Sequence, residues 1–237
     1  MKKNTIIKKP KVTAFLAALN EEKNIEKTIV ECFKIKEYEM EVIVVLDSKT
    51  TDNTKSVSEK AGALVVHTGN WRGKGFALRK SLKYANGDYV VQIDADYQFL
   101  PRDIPKLIKE LQLGADVAIA TRYRKGAKVD VGSVTKFRRF GIFFLAMATS
   151  LFAGQILTDV LAGFKAFKTS VIKDLDIKVD HYGYEAEEVI KAAQKGYRIV
   201  EVPVNYKRRV NGNSNLMPLR HGLLFLETIL KVGFKQI

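Results

Sequence analysis

Along the first half of the chain, short apolar runs rich in β-branched residues alternate with stretches of helical periodicity, separated by polar, glycine-containing segments. Residues 12–19 read as a first strand. Residues 40–46, with Val-Ile-Val-Val at their centre, are apolar on both faces, which marks a strand inside a sheet. Residues 64–68, 89–93 and 116–121 repeat that pattern, and helices are expected after residue 20 and over residues 55–61 and 76–85. Asn20 is placed to cap the first of these, and Pro101 with Asp103 opens another. Strand and helix in alternation predict βαβ units, hence an α/β fold with a mostly parallel central sheet flanked by helices. In such sheets ligands gather at the carboxyl ends of strands. Asn20, Asp47 and Asp94 all stand at such ends.

The second half is less regular. A basic loop over residues 122–139 leads into residues 140–158, which carry no charge and reach the length at which a membrane span must be weighed. That stretch also holds Gly, Thr, Ser and Gln. It is followed by a short Gly-Phe-Lys-Ala-Phe run, a helix around residues 185–195 and a strand over residues 198–204. At the C-terminus Leu219, Leu223, Leu226, Leu230 and Phe234 recur at helical spacing, with Arg220, Glu227, Lys231 and Lys235 opposite: an amphipathic helix. The organisation expected is a basic N-terminal arm over residues 1–10, one domain over 11–215 and the amphipathic helix over 216–237.

Composition narrows the function. The 237 residues, 46% of them hydrophobic, suffice for one well-packed core, and a net charge of +14 points to an anionic partner. Cys32 is the only cysteine, so no internal disulfide can form, and its apolar helical setting makes it a buried thiol. The N-terminus is basic without the apolar run of a secretory signal, so a cytoplasmic chain is expected. The three histidines form no zinc cluster. Gly73-Lys-Gly75 lacks the spacing of a P-loop or a dinucleotide fingerprint and reads as a tight turn before a helix, with Lys74 close to whatever binds there.

The segment Gln92-Ile-Asp-Ala-Asp-Tyr-Gln98 carries the most specific chemistry. Asp94 and Asp96 follow a buried strand at i and i+2, where both carboxylates can turn toward one ion. Gln98 adds a neutral oxygen, and all three are hard ligands suited to Mg²⁺ or Mn²⁺. A cation so held can offset the charge that grows on a leaving diphosphate.

This segment stands in an ordered series: Leu19-Asn-Glu-Glu-Lys-Asn-Ile25, Val45-Leu-Asp-Ser-Lys-Thr-Thr-Asp-Asn-Thr54, Arg72-Gly-Lys-Gly-Phe-Ala-Leu-Arg79 and Gly87 to Gln98. The series resembles the family 2 glycosyltransferases of GT-A fold. Thr121-Arg-Tyr123, Asp159 to Phe164, Tyr182 to Glu187 and Val202 to Arg209 are similar to the polyprenyl-phosphate sugar synthase branch, typified by dolichol-phosphate mannose synthase. The resemblance implies a nucleotide-sugar donor, UDP- or GDP-linked, with Glu21 and Asp47 at the nucleoside and Asp94, Asp96 and Gln98 at metal and donor. It also implies phosphate-binding roles for Arg122, for Arg138 or Arg139, and for Arg209. The family's usual Gly-x-Ser-Lys reads Gly212-Asn-Ser-Asn215 here, so an expected lysine is missing.

The acceptor implied is a polyprenyl phosphate, reached by inverting displacement with no proton to remove. A hydroxyl acceptor would need a base, for which Glu187 and Asp159 are the candidates, each equally suited to capping a helix or orienting an arginine. A single membrane span over residues 140–158 would separate Glu187 from Asp94. That stretch is therefore expected to be buried or interfacial, and membrane contact to be peripheral, at the cytoplasmic face. A soluble hydroxyl acceptor, a nucleotidyltransferase and a non-catalytic binding subunit are the competing readings. Nucleic-acid binding ranks below them, since no reading motif accompanies the charge.

Overall fold

The structure, a computed structural model, describes residues 9–70, 72–212 and 217–237. Most of the N-terminal arm and Asn215 of the altered motif lie outside the described residues. Four strands, β1 (Lys11–Ala18), β2 (Glu39–Leu46), β3 (Leu64–His67) and β4 (Tyr89–Gln92), pair in parallel in the order β3-β2-β1-β4. They are connected by helices α1 (Ile25–Phe33), α2 (Thr54–Lys60) and α3 (Lys74–Ser81). The β1–β2 register runs from Lys11 opposite Glu39 to Ala18 opposite Leu46, so both strands end level with each other. Val42 to Leu46 are all buried, as a strand covered on both faces requires.

Beyond β4 the sheet departs from the expected plan. After a 3₁₀ turn (Pro101–Asp103), α4 (Ile104–Gln112) leads to β5 (Val117–Thr121), but β5 does not pair with β4. The Gly-Phe-Lys-Ala-Phe run supplies most of β7 (Lys165–Lys168), which inserts between β4 and β5, antiparallel to both; β8 (Ile199–Pro203) then closes that edge, parallel to β5. A separate two-stranded ribbon joins β6 (Lys128–Val129) to β9 (Asn205–Tyr206). The sheet is thus mostly parallel, with one reversed strand.

Asn20 does not cap α1. It takes a left-handed backbone (φ 54°) and its side-chain oxygen accepts from the Thr51 amide at 2.8 Å, tying the loop after β1 to the loop after β2. The cap position belongs to Asn24.

Three helices cover the face of the sheet opposite α1 and α4. α5 (Lys136–Ala153) starts inside the expected basic loop, where the Thr135 side chain accepts from the Arg138 amide, and stops at Gly154 in left-handed backbone (φ 66°). α7 (Tyr184–Gln194) follows the short α6 (Thr169–Asp174), and α8 (Pro218–Gly233) packs against both α5 and α7. Only Leu145, Ala146, Thr149 and Ser150 of α5 are buried; Phe137, Phe140, Phe143, Phe144 and Leu151 are exposed. In α8 the buried residues are Phe225, Thr228, Ile229 and Val232, whereas Leu219, Leu223, Leu230 and Phe234 face outward. The periodic leucine stripe is therefore not the core face of α8. Among the described residues no helix is long and apolar enough to cross a membrane.

Candidate functional site

The strand order reverses about β1, with β2 on one side and β4 on the other, and a crevice opens at their carboxyl ends. A cavity of about 790 Å³ occupies it. Its wall takes in Glu21 after β1, Asp47 at the end of β2, Lys74 at the start of α3, Asp94, Asp96 and Gln98 after β4, Arg122 after β5, Arg138 on α5 and Arg209 beyond β9. Nine of the residues singled out in the sequence thus share one cavity; Arg139, Asp159 and Glu187 are not part of its lining.

Asp94 is held from two directions. Lys74 Nζ lies 2.5 Å from Asp94 Oδ1 and 3.2 Å from Glu185 Oε1 on α7. Burial alone would lower the Lys74 pKa, but the charges of Asp94 and Glu185 push it well above the usual lysine range. Glu185, buried, is itself pushed upward by desolvation, partly offset by Lys74. The lysine reaches this point because its flanking glycines let backbone approach backbone. A β-carbon at Gly75 would sit 2.8 Å from Tyr184 Cβ and strike the Val179 carbonyl, and one at Gly73 (φ 133°) would strike Asp180. Gly163 backs Asp94 on the other side, where a β-carbon would lie 2.5 Å from Oδ1 and 2.6 Å from Cγ.

Asp96 is nearly buried. Its Oδ1 accepts the Gln98 amide at 3.0 Å and its Oδ2 receives the Arg209 guanidinium, which also lies 3.5 Å from Glu21 Oε1. Burial, then the charge of Asp94, pushes the Asp96 carboxyl up to about 6. Glu21 is raised by burial too, offset by Asn24 and Arg209. Gln98 lines the cavity, but its side-chain nitrogen donates to the Lys207 carbonyl at 3.0 Å. Asp47 Oδ1 accepts from the Lys49 amide at 2.8 Å.

Arg122 and Asp159 form a buried bidentate pair, Nε to Oδ2 at 2.8 Å and Nη2 to Oδ1 at 2.7 Å, and the Arg122 amide donates to the same carboxylate. The guanidinium sits against the rings of Phe99, Tyr123 and Tyr206. Asp159 therefore orients an arginine; it has no free edge for a substrate proton. Arg139 lies over the Tyr123 ring instead of entering the cavity. Glu187 accepts from the amides of Lys178 at 2.8 Å and Val179 at 2.9 Å and pairs with Lys191 at 2.6 Å. Fully buried and saturated, it ties α7 to the preceding loop. Sequence reasoning missed Glu185, Tyr182 and Gly163, although all three lie within the quoted motifs.

The cavity has two chemistries. Its floor holds five carboxylates (Glu21, Asp47, Asp94, Asp96, Glu185) against Lys74, Arg138, Arg209 and an Arg122 already neutralised by Asp159. A diphosphate entering that floor meets an excess of negative charge, which a divalent cation would relieve. Among the described residues no group of three or more His, Cys, Asp or Glu is arranged around one ion. Asp94 and Asp96 are paired with Lys74 and Arg209, and a carboxylate pair is the kind of donor set Mg²⁺ uses when phosphates and water complete its shell. The opposite wall is apolar, built from Phe137, Phe140 and Phe144 of α5 and Leu219, Leu223 and Leu226 of α8.

Comparison with known proteins fits this arrangement. Residues 13–176 match the model of glycosyl transferase family 2. The chain is 32% identical over 189 residues to glycosyltransferase AglJ of Haloferax volcanii, covering 78% of this chain and 61% of that protein. It is 28% identical to the dolichyl-phosphate hexose transferase of the same organism, covering 93% of each. Among solved structures, glucosyl-3-phosphoglycerate synthase from Mycobacterium tuberculosis, crystallised with Mn²⁺, uridine diphosphate and glucosyl-3-phosphoglycerate, superposes with a TM-score of 0.71. It shares 24% identity and is matched over 95% of this chain and 80% of that one, a likeness of fold. Motif order, a GT-A-like sheet and the family match agree: the chain belongs to glycosyl transferase family 2.

Proposed function

We propose that this chain is a metal-dependent, inverting glycosyltransferase that moves a sugar from a UDP- or GDP-linked donor to a polyprenyl phosphate at the cytoplasmic face of a membrane. The observation that carries the reading is the single cavity in which a carboxylate floor faces an apolar wall. Asp94 and Asp96 would hold Mg²⁺ or Mn²⁺, which supplies compensation for charge on the departing nucleoside diphosphate. Glu21 and Asp47 border the nucleoside end, and Arg138 and Arg209 are within the same wall to pair with phosphate oxygens.

In the transfer, a phosphate oxygen of the acceptor forms the new bond to the anomeric carbon as the bond to the nucleoside diphosphate breaks. The acceptor phosphate is already an anion at neutral pH, so no proton moves. That suits this site: the two acids foreseen as bases for a hydroxyl acceptor, Asp159 and Glu187, are both consumed by structural partners. Exposed aromatic and leucine side chains on α5 and α8 also line the cavity, which supports a prenyl chain entering from a bilayer. The relatives support this reading: one is a dolichyl-phosphate hexose transferase, and the structural neighbour was crystallised with Mn²⁺ and uridine diphosphate.

The test is a radiolabelled panel of nucleotide sugars incubated with and without polyprenyl phosphate, in Mn²⁺ and in chelator. Label should enter the organic phase only with lipid and metal together. Label found solely in water-soluble glycosides would refute the lipid acceptor and favour the hydroxyl-acceptor reading. Release of sugar 1-phosphate in place of nucleoside diphosphate would mark a nucleotidyltransferase.

A further inference from the structure

Tyr97 stands between Asp96 and Gln98 with a left-handed backbone, φ 60°. Asparagine, aspartate and glycine visit that region readily, whereas a bulky aromatic residue stays there only when its surroundings hold it. Here the surroundings are specific. The Tyr97 hydroxyl donates to Glu31 of α1, Lys27 of the same helix places its ammonium 4.3 Å from the ring centre, and Lys207 approaches the ring at 6.0 Å. Thr28, between Lys27 and Glu31 on α1, donates to the Ala95 carbonyl at 3.3 Å. Three neighbouring positions of α1 therefore grip the loop that carries both carboxylates. On the other side the Lys207 amide donates to the Gln98 carbonyl at 2.8 Å. The kink turns Tyr97 outward to these partners while Asp96 and Gln98 on either side line the cavity.

We propose that Tyr97 is a positioning residue: latched to Glu31, it fixes the backbone kink that presents the Asp96 carboxylate to the cation and diphosphate. The inference rests on the donor-site reading of Asp96. Tyr97 touches neither substrate nor ion. It acts by removing the orientations of Asp96 that do not serve binding, so its loss appears as weaker metal-dependent affinity and leaves the folded state intact.

Titration calorimetry with UDP and with GDP, each in Mn²⁺ and in chelator, tests this on wild type, Tyr97→Phe, Glu31→Ala and the double variant. Each single change should weaken the Mn²⁺-dependent affinity by about fivefold, within the range of one hydrogen bond. The double variant should be no weaker than either, because both changes cut the same latch. Ligand-free melting temperatures should stay together. Wild-type affinity in Tyr97→Phe, additive losses in the double variant, or equal losses in chelator would each overturn the proposal. Asp96→Asn separates the layers: if it binds like wild type, or wild type binds neither nucleotide, the donor-site reading itself fails.

Discussion

Gly163→Ala is the sharpest perturbation the geometry offers, because it acts on Asp94 without touching it. The backbone of Gly163 lies outside the left-handed region, so alanine is allowed there, and the nearest atoms a methyl group would meet belong to the Asp94 carboxylate. That carboxylate is the end of a flexible, partly exposed side chain and can swing away without moving backbone. In swinging it leaves Lys74, 2.5 Å away, and changes the charge that Asp96 feels. A hydrogen bond between charged groups contributes about 1.5–3 kcal/mol, and each 1.4 kcal/mol is roughly tenfold. Donor kcat/KM and Mn²⁺ affinity should therefore fall about ten- to hundredfold, while stability falls by no more than the roughly 1.5–3 kcal/mol of the lost Lys74 pair. Steady-state kinetics over a Mn²⁺ series, beside a denaturation curve, makes the measurement. Full activity would show that Asp94 needs neither its position nor Lys74. Lost activity with a loss of stability larger than that pair accounts for would place the clash in the core instead.

Other substitutions separate support from chemistry. Glu187→Gln offers one acceptor to two backbone amides, so stability should drop by about 1–3 kcal/mol while kcat holds; a lost general base would instead cost about 10²–10⁴ in rate. Asp159→Ala strands the buried Arg122 charge and should lower stability by about 3–5 kcal/mol by chemical denaturation, as expected when one partner of a buried pair is removed. Burial, partly offset by Lys165 and Gln92, pushes the Glu188 carboxyl up to about 7, so the fold favours its neutral form. Between the unfolded value near 4.5 and about 7 the unfolded chain releases a proton that the native chain keeps, so stability falls with rising pH there and levels off above. Glu188→Gln should remove that slope from the melting-temperature profile; an unchanged slope would assign it to other groups.

Much of the cavity's carboxylate cluster was legible in the sequence because it depends on local pattern. A buried β-branched run followed by an acid is a strand delivering that acid to the carboxyl end of the sheet, as β2 and β4 do at Asp47 and Asp94, whereas Glu21, three residues beyond β1, stood out only through the family resemblance. What escaped depends on distant pairing. β7 reads Lys-Ala-Phe-Lys and looks like surface, yet Lys165 is wholly buried because Glu188, on α7, lies 3.6 Å from it. The acids of α7 show a second limit. Glu185 and Glu187 are two residues apart, hence about 200° around a helix, so only one can face the cavity, and the motif does not say which. It is Glu185, through Lys74. The leucine stripe of α8 was visible as periodicity, but periodicity gives a face without its partner. Phe225, Ile229 and Val232 took the core, leaving Leu219, Leu223 and Leu230 exposed and Leu226 at its margin.

That outward stripe bears on the net charge of +14, which sits oddly beside a cavity rich in carboxylates. The two fit together once position is considered. Lys136 and Arg139 on α5, with Arg220 and Lys231 on α8 and Lys235 just beyond it, are exposed on the same elements that display Phe140, Phe143, Leu219 and Leu223. Cations beside unpartnered apolar side chains match an anionic lipid surface, where each contributes about 1 kcal/mol of attraction that salt screens. Vesicles containing anionic phospholipid should therefore sediment with the protein at low salt and release it progressively as salt rises, whereas neutral vesicles should bind weakly. Phe143→Glu with Leu223→Glu should abolish sedimentation while donor binding in Mn²⁺ persists, because Asp94 and Asp96 are held by Lys74, Arg209 and the loop after β4. Vesicle binding that ignores both salt and these substitutions would rule out this surface, and the acceptor would then have to reach the apolar wall from solution.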